Sequence, residues 1–429
     1  MNSTKNSSQK NILLVSNNPL STTRNNGKTL FSIFKNIKEE NLHQLYFSSE
    51  IPTISKYSYY QLSDYDILKG LFDNSKRGRI ITTATLSNNL KNRFNSKKSI
   101  KKNSLSRLIR EFMWKNKWNS NQLINWLNEF EPDIIFFVAG DSIFAYDIVD
   151  YIVKKYNSEL FTYITDDYIM PRKFDSPIDK IRRNQIRFKM INCIKKSVNY
   201  FTISESMKEE YSKITGMKSY TLRNLTESMK ISNFETKNKD IEFIYTGSLY
   251  YERDYILGEV AKAAERYNLS NHNKGKKINI SVYCNTEPEG NSRQLFEKYD
   301  CCKYLGSLDP DELKIKLNKS DVLLFIESFS EKMIEKTKYS FSTKIPEYLS
   351  LGKPIFAVGP KEIGSMNFLK NTAICNYDVS DIYINLQKYI SSDDCLKEFA
   401  DLAATKYKEE VKTENNIEDI LKYQRIDEE

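Results

Sequence analysis

The 429-residue sequence contains few of the residues that build metal and redox centres. It has only two histidines, His43 and His272, and its six cysteines include no CxxC pair, which argues against a histidine-based metal centre and a zinc site. Scattered cysteines fit reduced cytosolic thiols better than a disulfide framework. Any catalysis by this chain therefore depends on carboxylates, cations and backbone dipoles.

Long apolar runs are also missing. No stretch approaches the roughly 18 apolar residues that a transmembrane helix needs. The polar first residues, MNSTKNSSQKN, lack the apolar region of a secretory signal, so we predict a cytoplasmic protein. With 40% hydrophobic and 13% aromatic residues the chain is predicted to fold, and its length predicts two domains.

Short apolar runs recur along the whole chain. They are 11–16, 133–140, 160–166, 199–204, 242–247, 278–284, 321–328 and 354–359. Their β-branched and aromatic content predicts buried parallel strands, and the helical spacing between most of them predicts an α/β fold with doubly wound sheets. A polar break at 224–241 predicts an N-terminal domain over 1–228, a C-terminal domain over 229–405 and a charged helical tail over 406–429.

Ligands of such sheets bind beyond the carboxyl ends of the strands. In TGSLYYERD, Gly247 and Ser248 follow a predicted strand and Arg253 lies close behind, so a backbone turn and a planar cation can meet a diphosphate. Taken alone, this segment is more typical of an ordinary strand–glycine–helix turn with a surface charge.

The segment 341–359, FSTKIPEYLSLGKPIFAVG, carries a stronger signal. Ser342 and Thr343 can begin a helix whose free N–H groups, together with Lys344, favour a phosphate. Glu347 follows three residues later on the same side of the helix and can accept both hydroxyls of a ribose. Alone, Glu347 would be read as a solvated carboxylate, but the compact helix, Gly-Lys-Pro turn and strand favour a binding site.

These segments resemble the donor domain of GT-B glycosyltransferases, particularly the bacterial retaining enzymes of group 1 (family 4-like) that build surface polysaccharides. The resemblance implies two Rossmann-like domains that face each other across a cleft. It implies that Gly247 and Arg253 contact the diphosphate of a nucleotide sugar. Lys344 would contact a phosphate, Glu347 the ribose, and Leu305 would lie beside the nucleobase. We predict a UDP-linked donor and, as in the family, no metal or other cofactor.

The sequence departs from this family at one position. Many members have two glutamates eight positions apart, but the position eight before Glu347 is Tyr339. Glu327, Glu331 and Glu335 precede it, none at the expected spacing. Because the first glutamate is associated with the donor sugar, the identity of the sugar and the stereochemical outcome stay open.

The N-terminal half is expected to supply the acceptor side. Asp141, Asp166 and Asp167 follow predicted strands, where a catalytic acid or base would lie, although they equally suit loop caps. Gly27 belongs to a loop that the resemblance places over the cleft. A P-loop is excluded there, because Thr22 stands where the upstream glycine is required.

The positive charge is concentrated in one segment. Between Lys91 and Lys117 there are ten Lys or Arg residues against one acid, Glu111, while the whole chain has a net charge of +9. Aromatic residues interleaved with these cations suit an anionic membrane surface over 91–118, and they would also suit nucleic acid. We expect the tryptophans to lie in the core and the lysines to contact the membrane.

The sequence therefore predicts a glycosyltransferase that moves a sugar to a hydroxyl of a surface-polysaccharide or lipid-linked glycan, at the inner face of the cell membrane. No nucleic-acid partner is expected. Two alternatives stay open: a nucleic-acid-binding or regulatory protein that uses the basic segment, and a sugar-nucleotide epimerase of the same fold.

Overall fold

The computed structural model describes residues 10–22, 25–70, 73, 77–82, 104–223, 240–270, 275–285, 287–288, 290–412 and 417–421. The chain forms two compact units. The N-terminal unit comprises Met1–Asn224 with Asn415–Glu429, and the C-terminal unit comprises Leu225–Glu414. The predicted boundary at residue 228 falls outside the described residues and stays a prediction. The predicted start of the tail, at residue 406, lies inside a continuous helix, Asp393–Lys412.

The N-terminal unit is built on an eight-stranded sheet. Its strands are β1 (Ile12–Ser16), β2 (Leu42–Tyr46), β3 (Ser58–Gln61), β4 (Arg79–Ile80), β5 (Ile134–Ala139), β6 (Glu159–Ile164), β7 (Asn199–Thr202) and β8 (Tyr220–Thr221). They lie in the order β4-β3-β2-β1-β5-β6-β7-β8, and only the β3–β4 pair is antiparallel among these described strands. The strand order reverses direction between β1 and β5, as in a doubly wound sheet.

Helices connect these strands. They are α1 (Asn25–Phe34), α2 (Asp64–Lys69), α3 (Ser104–Trp114), α4 (Asn121–Phe130), α5 (Ile143–Tyr156), α6 (Pro177–Lys196) and α7 (Glu205–Thr215), with a 3₁₀ turn at Glu39–Asn41. The burial predicted for the tryptophans is confirmed, since Trp114, Trp118 and Trp126 are at most 8% exposed. A short helix near the end of the chain, Ile417–Ile420, also belongs to this unit.

The C-terminal unit repeats the same topology with six parallel strands. They are β9 (Ile241–Thr246), β10 (Ile278–Tyr283), β11 (Cys302–Tyr304), β12 (Val322–Ile326), β13 (Ile355–Val358) and β14 (Ile374–Asn376), in the order β11-β10-β9-β12-β13-β14. The helices are α8 (Arg253–Ser270), α9 (Asn291–Lys298), α10 (Pro310–Lys319), α11 (Glu331–Thr337), α12 (Lys344–Ser350), α13 (Gly364–Leu369), α14 (Asp381–Asn385) and α15 (Asp393–Lys412), with a π-helix at Leu386–Ile390. The predicted α/β fold with two parallel sheets is confirmed.

Both faces of the second sheet are covered by apolar side chains. Phe243 and Tyr245 of β9 lie in one core cluster, whereas Ile244 between them lies in another. Successive side chains of a strand point to opposite faces, so each strand must be apolar along its whole length. This is why β9, β12 and β13 are recognisable in the sequence as uninterrupted apolar runs.

Four strands of the first sheet were not predicted: β4 and β8 are only two residues long, and β2 and β3 contain buried polar residues. Gln44 of β2 is fully buried, and its side-chain amide donates a hydrogen bond of 2.8 Å to Ser16 Oγ while accepting one of 3.0 Å from the Leu20 N–H. Gln61 of β3 donates to the Ser48 and Glu50 carbonyls. These bonds satisfy the buried amides, but they break the apolar pattern on which the strand prediction depends.

Within the described part of the chain, none of the helices combines the length and apolar character needed to cross a membrane.

Trp114 should contribute strongly to the stability of the N-terminal unit. It is fully buried, stacks on Phe144 with ring centroids 3.7 Å apart, and donates a 2.7 Å hydrogen bond from Nε1 to Asp64 Oδ1. We expect Trp114→Ala to lower the free energy of unfolding by about 3–5 kcal/mol. Phe112→Ala, on the same helix but at a position 77% exposed, should change it by less than about 0.5 kcal/mol.

The measurement is urea denaturation followed by tryptophan fluorescence. All three tryptophans of the chain lie in the N-terminal unit, so the remaining two report on it selectively. Equal denaturation midpoints for Trp114→Ala and Phe112→Ala would contradict the packing described.

Candidate functional site

The C-terminal unit gathers its charged residues where the strand order reverses. Strands β9 and β12 are neighbours, with Leu324 opposite Tyr245, but the chain continues from β9 to β10 on one side and from β12 to β13 on the other side of the sheet. Such a switch point leaves a crevice beyond the carboxyl ends of the two strands. Gly247 follows β9 directly and Glu327 follows β12 directly. Together with Arg253 and Lys344 they form what we call the switch-point site.

Gly247 lets a lysine approach the backbone closely. The Lys344 ammonium donates a hydrogen bond to the carbonyl of Thr246, the last residue of β9. A β-carbon at Gly247 would overlap this ammonium and would lie 3.0 Å from the Tyr245 hydroxyl. A larger residue at this position would force the Lys344 ammonium to move away from the Thr246 carbonyl. The structure thus brings together Gly247 and Lys344, two of the residues predicted to bind a diphosphate.

Arg253 is held by a buried carboxylate. Its Nε and Nη2 atoms donate to Glu327 Oε2 at 3.2 and 2.7 Å, and the Arg253 and Glu327 side chains are 19% and 5% exposed. Burial raises the pKa of Glu327, and the adjacent guanidinium opposes this rise. Arg253 is therefore a fixed group in a crevice, which differs from the solvated surface charge that the turn alone would predict.

Glu327 was not among the predicted site residues, because its spacing from Glu347 does not match the pattern of the family. The signal that could have identified it is its position directly after a fully buried strand, VLLFI, at the carboxyl edge of the sheet. Tyr339, which stands at the family's usual glutamate position, is buried with 9% of its surface exposed.

Lys344 and Arg253 make the site electropositive at some energetic cost. Burial and the neighbouring Arg253 charge lower the pKa of Lys344 to about 8, although Glu347 and Glu327 oppose this shift. Two cations close together in a partly buried crevice repel each other unless an anion lies between or beside them. Groups perturbed in this way in a crevice are typical of functional sites.

The loop between β9 and α8 has a strained backbone. Tyr251 and Glu252 have φ angles of 63° and 59°, a left-handed conformation that non-glycine residues rarely adopt. The Tyr245 hydroxyl donates a 2.8 Å hydrogen bond to the Ser248 carbonyl and so fixes the start of the loop. The Tyr251 ring lies beneath the Arg253 guanidinium, 5.6 Å from its centre. Strain of this kind concentrates at binding loops.

Helix α12 supplies the other predicted donor residues. Lys344 and Glu347 lie one turn apart on it, and Glu347 is half-buried. Thr343 occupies the N-cap position, but its side chain accepts no hydrogen bond from this helix. Ser342 Oγ instead accepts one of 3.4 Å from the Lys344 N–H, while the Ser342 N–H donates to Ser365 Oγ at 3.0 Å.

The turn at Leu305 follows the edge strand β11, two strands from β9. The Leu305 N–H donates to the Val282 carbonyl at 2.9 Å, and its side chain is 48% exposed. Gly306 has a φ of +84° and accepts a 3.0 Å hydrogen bond from the Cys284 N–H. The predicted role of Leu305 beside a nucleobase stays a prediction. Further along this turn, Asp309 caps α10, since its side chain accepts hydrogen bonds from the Asp311 and Glu312 N–H groups.

In the N-terminal unit, Asp141 follows β5 at that sheet's own switch point. Arg182 donates to its carbonyl oxygen and approaches its carboxylate at 3.4 Å, and Arg107 lies 3.9 Å from the same carboxylate. Gly27 lies in the first turn of α1 and not in a loop as predicted. A β-carbon there would overlap the Pro19 carbonyl oxygen, so packing of the helix against the preceding loop is sufficient to explain this glycine.

The two aspartates after β6 differ in their surroundings. Asp167 is 4% exposed, and its Oδ1 atom accepts hydrogen bonds from the N–H groups of Ile169 and Met170 and from the Tyr211 hydroxyl. These contacts make Asp167 the cap of its loop. Asp166 is half-buried, with the Tyr168 hydroxyl 3.5 Å from its carboxylate. The catalytic roles predicted for these aspartates stay predictions.

No protein-family model matches the sequence, and no curated protein matches it. Solved structures do. A UDP-forming α,α-trehalose-phosphate synthase from Burkholderia vietnamiensis superposes with a TM-score of 0.60 at 12% identity, over 96% of this chain and 99% of that one. The enzyme from Burkholderia xenovorans in complex with glucose-6-phosphate gives 0.60 at 9% identity, over 96% and 100%. TarM gives 0.58 at 12% identity, over 96% and 98%.

These likenesses define the class of fold. The chain has the GT-B fold, two doubly wound α/β units in succession, as its resemblance to GT-B glycosyltransferases implied. At identities of 9–14% the likeness concerns the fold, so the chemistry must be argued from the residues of the site itself.

The lowered pKa of Lys344 predicts a pH-dependent contribution to stability. In the folded chain this amine loses its proton near pH 8, whereas in the unfolded chain it does so near 10.5. Between these values the unfolded state binds more protons, so the stability of the wild type rises with pH relative to a Lys344→Met variant. We expect the difference in Tm, wild type minus Lys344→Met, to increase from about pH 7 to about pH 10.

Calorimetry of both proteins over this range provides the measurement. Lys338, an exposed lysine on the preceding segment, provides the matched control as Lys338→Met. A difference that rises equally for the two variants would show that the effect is not specific to Lys344.

Proposed function

We propose that this protein is a glycosyltransferase that moves a sugar from a UDP-linked nucleotide sugar to a hydroxyl of a surface-polysaccharide or lipid-linked glycan acceptor. The observation that carries the proposal is the meeting of Arg253 and Lys344 beside Gly247, at the switch point of a parallel sheet. The GT-B fold supports it, and proteins of that fold include synthases described as UDP-forming. An enzyme of this kind belongs to the transferases.

The two cations suit the chemistry of the leaving group. Sugar transfer breaks the bond between the anomeric carbon and the diphosphate, so negative charge develops on the diphosphate oxygens. Arg253 can direct the N–H groups that Glu327 does not bind toward these oxygens, and Lys344 adds a compact positive charge. Charges fixed before the reaction stabilise the developing anion without reorganisation, which is the effective form of electrostatic catalysis.

Other residues of the C-terminal unit would hold the nucleoside. Glu347 lies one turn from Lys344 on α12 and can accept the two hydroxyls of a ribose while Lys344 holds the phosphate. Ser248, Ser342 and Thr343 border the same edge of the sheet, and we assign them to the phosphate contacts. Leu305, half-exposed on its turn, is assigned to the nucleobase.

On the acceptor side we retain Asp166 as the candidate for activating the acceptor hydroxyl. It is the more accessible of the two aspartates after β6, because Asp167 is committed to capping its own loop. Asp141 is surrounded by Arg107 and Arg182, which suits a residue that orients its loop. The acceptor class itself, with action at the inner face of the membrane, follows from the family that the sequence resembles.

Cations rather than a metal ion are proposed to neutralise the leaving diphosphate. Arg253 and Lys344 supply two positive charges at the switch-point site; Glu327 offsets one of them, and the remaining positive charge attracts a nucleotide-sugar diphosphate. We therefore expect saturating EDTA to leave the transfer rate within about two-fold of its untreated value. A rate that falls more than about ten-fold and recovers with Mg²⁺ or Mn²⁺ would contradict a metal-independent mechanism.

Donor binding provides the central test. Titration with UDP sugars should raise the Tm of the wild type, because a ligand that binds only the folded state stabilises it. Glu347→Ala should weaken this binding by about 10–100-fold, since it removes a charged hydrogen-bond acceptor. Glu398→Ala, an exposed glutamate on α15, is the matched control and should bind as the wild type does.

The same protein preparations distinguish a glycosyltransferase from a sugar-nucleotide epimerase. A transferase consumes the donor only when an acceptor is present, whereas an epimerase would convert the sugar without one. The absence of any nucleotide-induced stabilisation, across UDP, GDP, ADP and dTDP sugars, would overturn the proposal.

The basic segment 91–118 is proposed to contact an anionic membrane surface. Its first part, 91–103, lies outside the described residues, and the described part begins with α3. Six of its ten cations belong to that first part. The long-range attraction of such a cluster for anionic lipid would keep the acceptor side near its substrate.

A further inference from the structure

Helix α3 is apolar on the side that faces solvent. Leu105, Ile109 and Phe112 recur at helical spacing and are 58%, 53% and 77% exposed. Trp114, on the opposite side of the same helix, is fully buried. A surface helix normally turns one apolar side to the core and a polar side to water. Helix α3 therefore has a second apolar side that its packing against the described residues of this unit does not explain.

Helix α6 shows the same feature. Ile178, Ile181 and Phe188 recur along one side and are 39%, 60% and 66% exposed. Met190, on the other side, is fully buried. Phe174, just before the helix, is also 48% exposed. Single exposed apolar residues are ordinary on a surface, but two helices with an exposed apolar stripe each are not.

The two stripes belong to neighbouring helices. Glu111 of α3 lies 3.6 Å from Arg182 of α6, and these two side chains are 13% and 7% exposed. Phe112 directly follows Glu111, and Ile181 directly precedes Arg182, so the stripes flank the seam between the helices. We call the six exposed side chains of the two helices the insertion face: Leu105, Ile109, Phe112, Ile178, Ile181 and Phe188.

Positive charge surrounds the insertion face. Residues 104–118 and 174–196 contain eleven Lys or Arg and three Asp or Glu. Some of these cations pair with acids of neighbouring helices: Arg110 with Asp64, Lys189 with Asp147 and Lys196 with Asp150. Lys115 and Lys180 are exposed beside the apolar stripes. Six further cations lie between residues 91 and 103 and so precede α3 in the chain. The exposed apolar side chains of the N-terminal unit therefore lie on helices that also carry many of its cations.

We propose that the insertion face docks into the headgroup region of an anionic lipid bilayer. Apolar side chains flanked by lysine and arginine are typical of helices that lie in the membrane interface, where the cations reach the phosphates. An interface with another protein favours the opposite composition, since lysine is depleted from the cores of such interfaces. This proposal depends on the proposed function in one respect, the lipid-linked acceptor that would bring the protein to a membrane. It adds the insertion of apolar side chains to the electrostatic contact proposed for 91–118.

Vesicle binding by the full-length protein tests this proposal. We expect the wild type to bind sedimentable vesicles of phosphatidylglycerol and phosphatidylcholine, and to bind pure phosphatidylcholine at least about ten-fold more weakly. Replacing Ile109, Phe112 and Phe188 by serine should reduce binding to the anionic vesicles by at least about ten-fold, because burial of three apolar side chains is lost.

A matched control comes from the C-terminal unit. Leu269, Ile315 and Ile384 are 69%, 54% and 60% exposed, similar to the three residues replaced, and their serine variant should bind vesicles as the wild type does. Both variants should bind UDP sugars as the wild type does, which shows that they are folded. Loss of vesicle binding without loss of donor binding therefore separates this proposal from the proposed function.

Tryptophan fluorescence can measure how deeply the side chain at position 112 enters the bilayer. The three native tryptophans are buried, so a Phe112→Trp variant adds one exposed reporter. With brominated lipids, its added emission should shift to the blue and be quenched. Charge reversal at Lys97, Lys98, Lys101 and Lys102 should weaken binding at low salt while leaving the quenching of bound protein unchanged.

Three results would overturn the proposal. One is equal vesicle binding by the insertion-face and control variants. Another is an exposed, unquenched Trp at position 112 in vesicle-bound protein. The third is a wild-type dimer in solution that only the insertion-face variant splits, since this surface would then bind a second copy of the chain.

Discussion

The ion pair between Arg253 and Glu327 is the interaction on which the candidate site depends. Removing a carboxylate from water is costly unless a cation compensates it, and Glu327 is 5% exposed with Arg253 at 2.7 Å. Arg253 thereby gains a fixed orientation, and Lys344 must share the crevice with it. Among these three groups one buried anion stabilises two cations, which leaves an excess positive charge that a diphosphate can neutralise.

The topology explains why these residues meet at all. Gly247 and Glu327 are 80 positions apart, but β9 and β12 are adjacent in the sheet, so both strands end at the same place. Lys344 reaches this point from the helix that precedes β13, the next strand outward. Any chain with this strand order leaves a crevice here. What is particular to this protein is the set of side chains, because the same crevice in the first sheet holds Asp141 between two arginines.

The sequence predicts those features that depend on local pattern. Strands covered on both faces are apolar throughout and were found, and Lys344 and Glu347 were found because their spacing on one helix is local. Glu327 was not assigned, because its partner Arg253 is 74 residues away and only the pairing of strands joins them. The exposure of Phe112 and the burial of Trp114 could be predicted only in part. Two residues that are two positions apart on a helix must point to different sides, but the sequence does not show which of them points to the core.

Several features of the site are unfavourable for the folded chain by itself. Lys344 is partly dehydrated beside another cation, and Tyr251 and Glu252 adopt left-handed backbone conformations. Each of these costs free energy, so they persist because the surrounding sheet and the Glu327 carboxylate hold them in place. An anion bound beside Lys344 would favour its protonated form, which raises its pKa back toward the ordinary value. Relief of the repulsion between Lys344 and Arg253 would then contribute to the affinity for the anion.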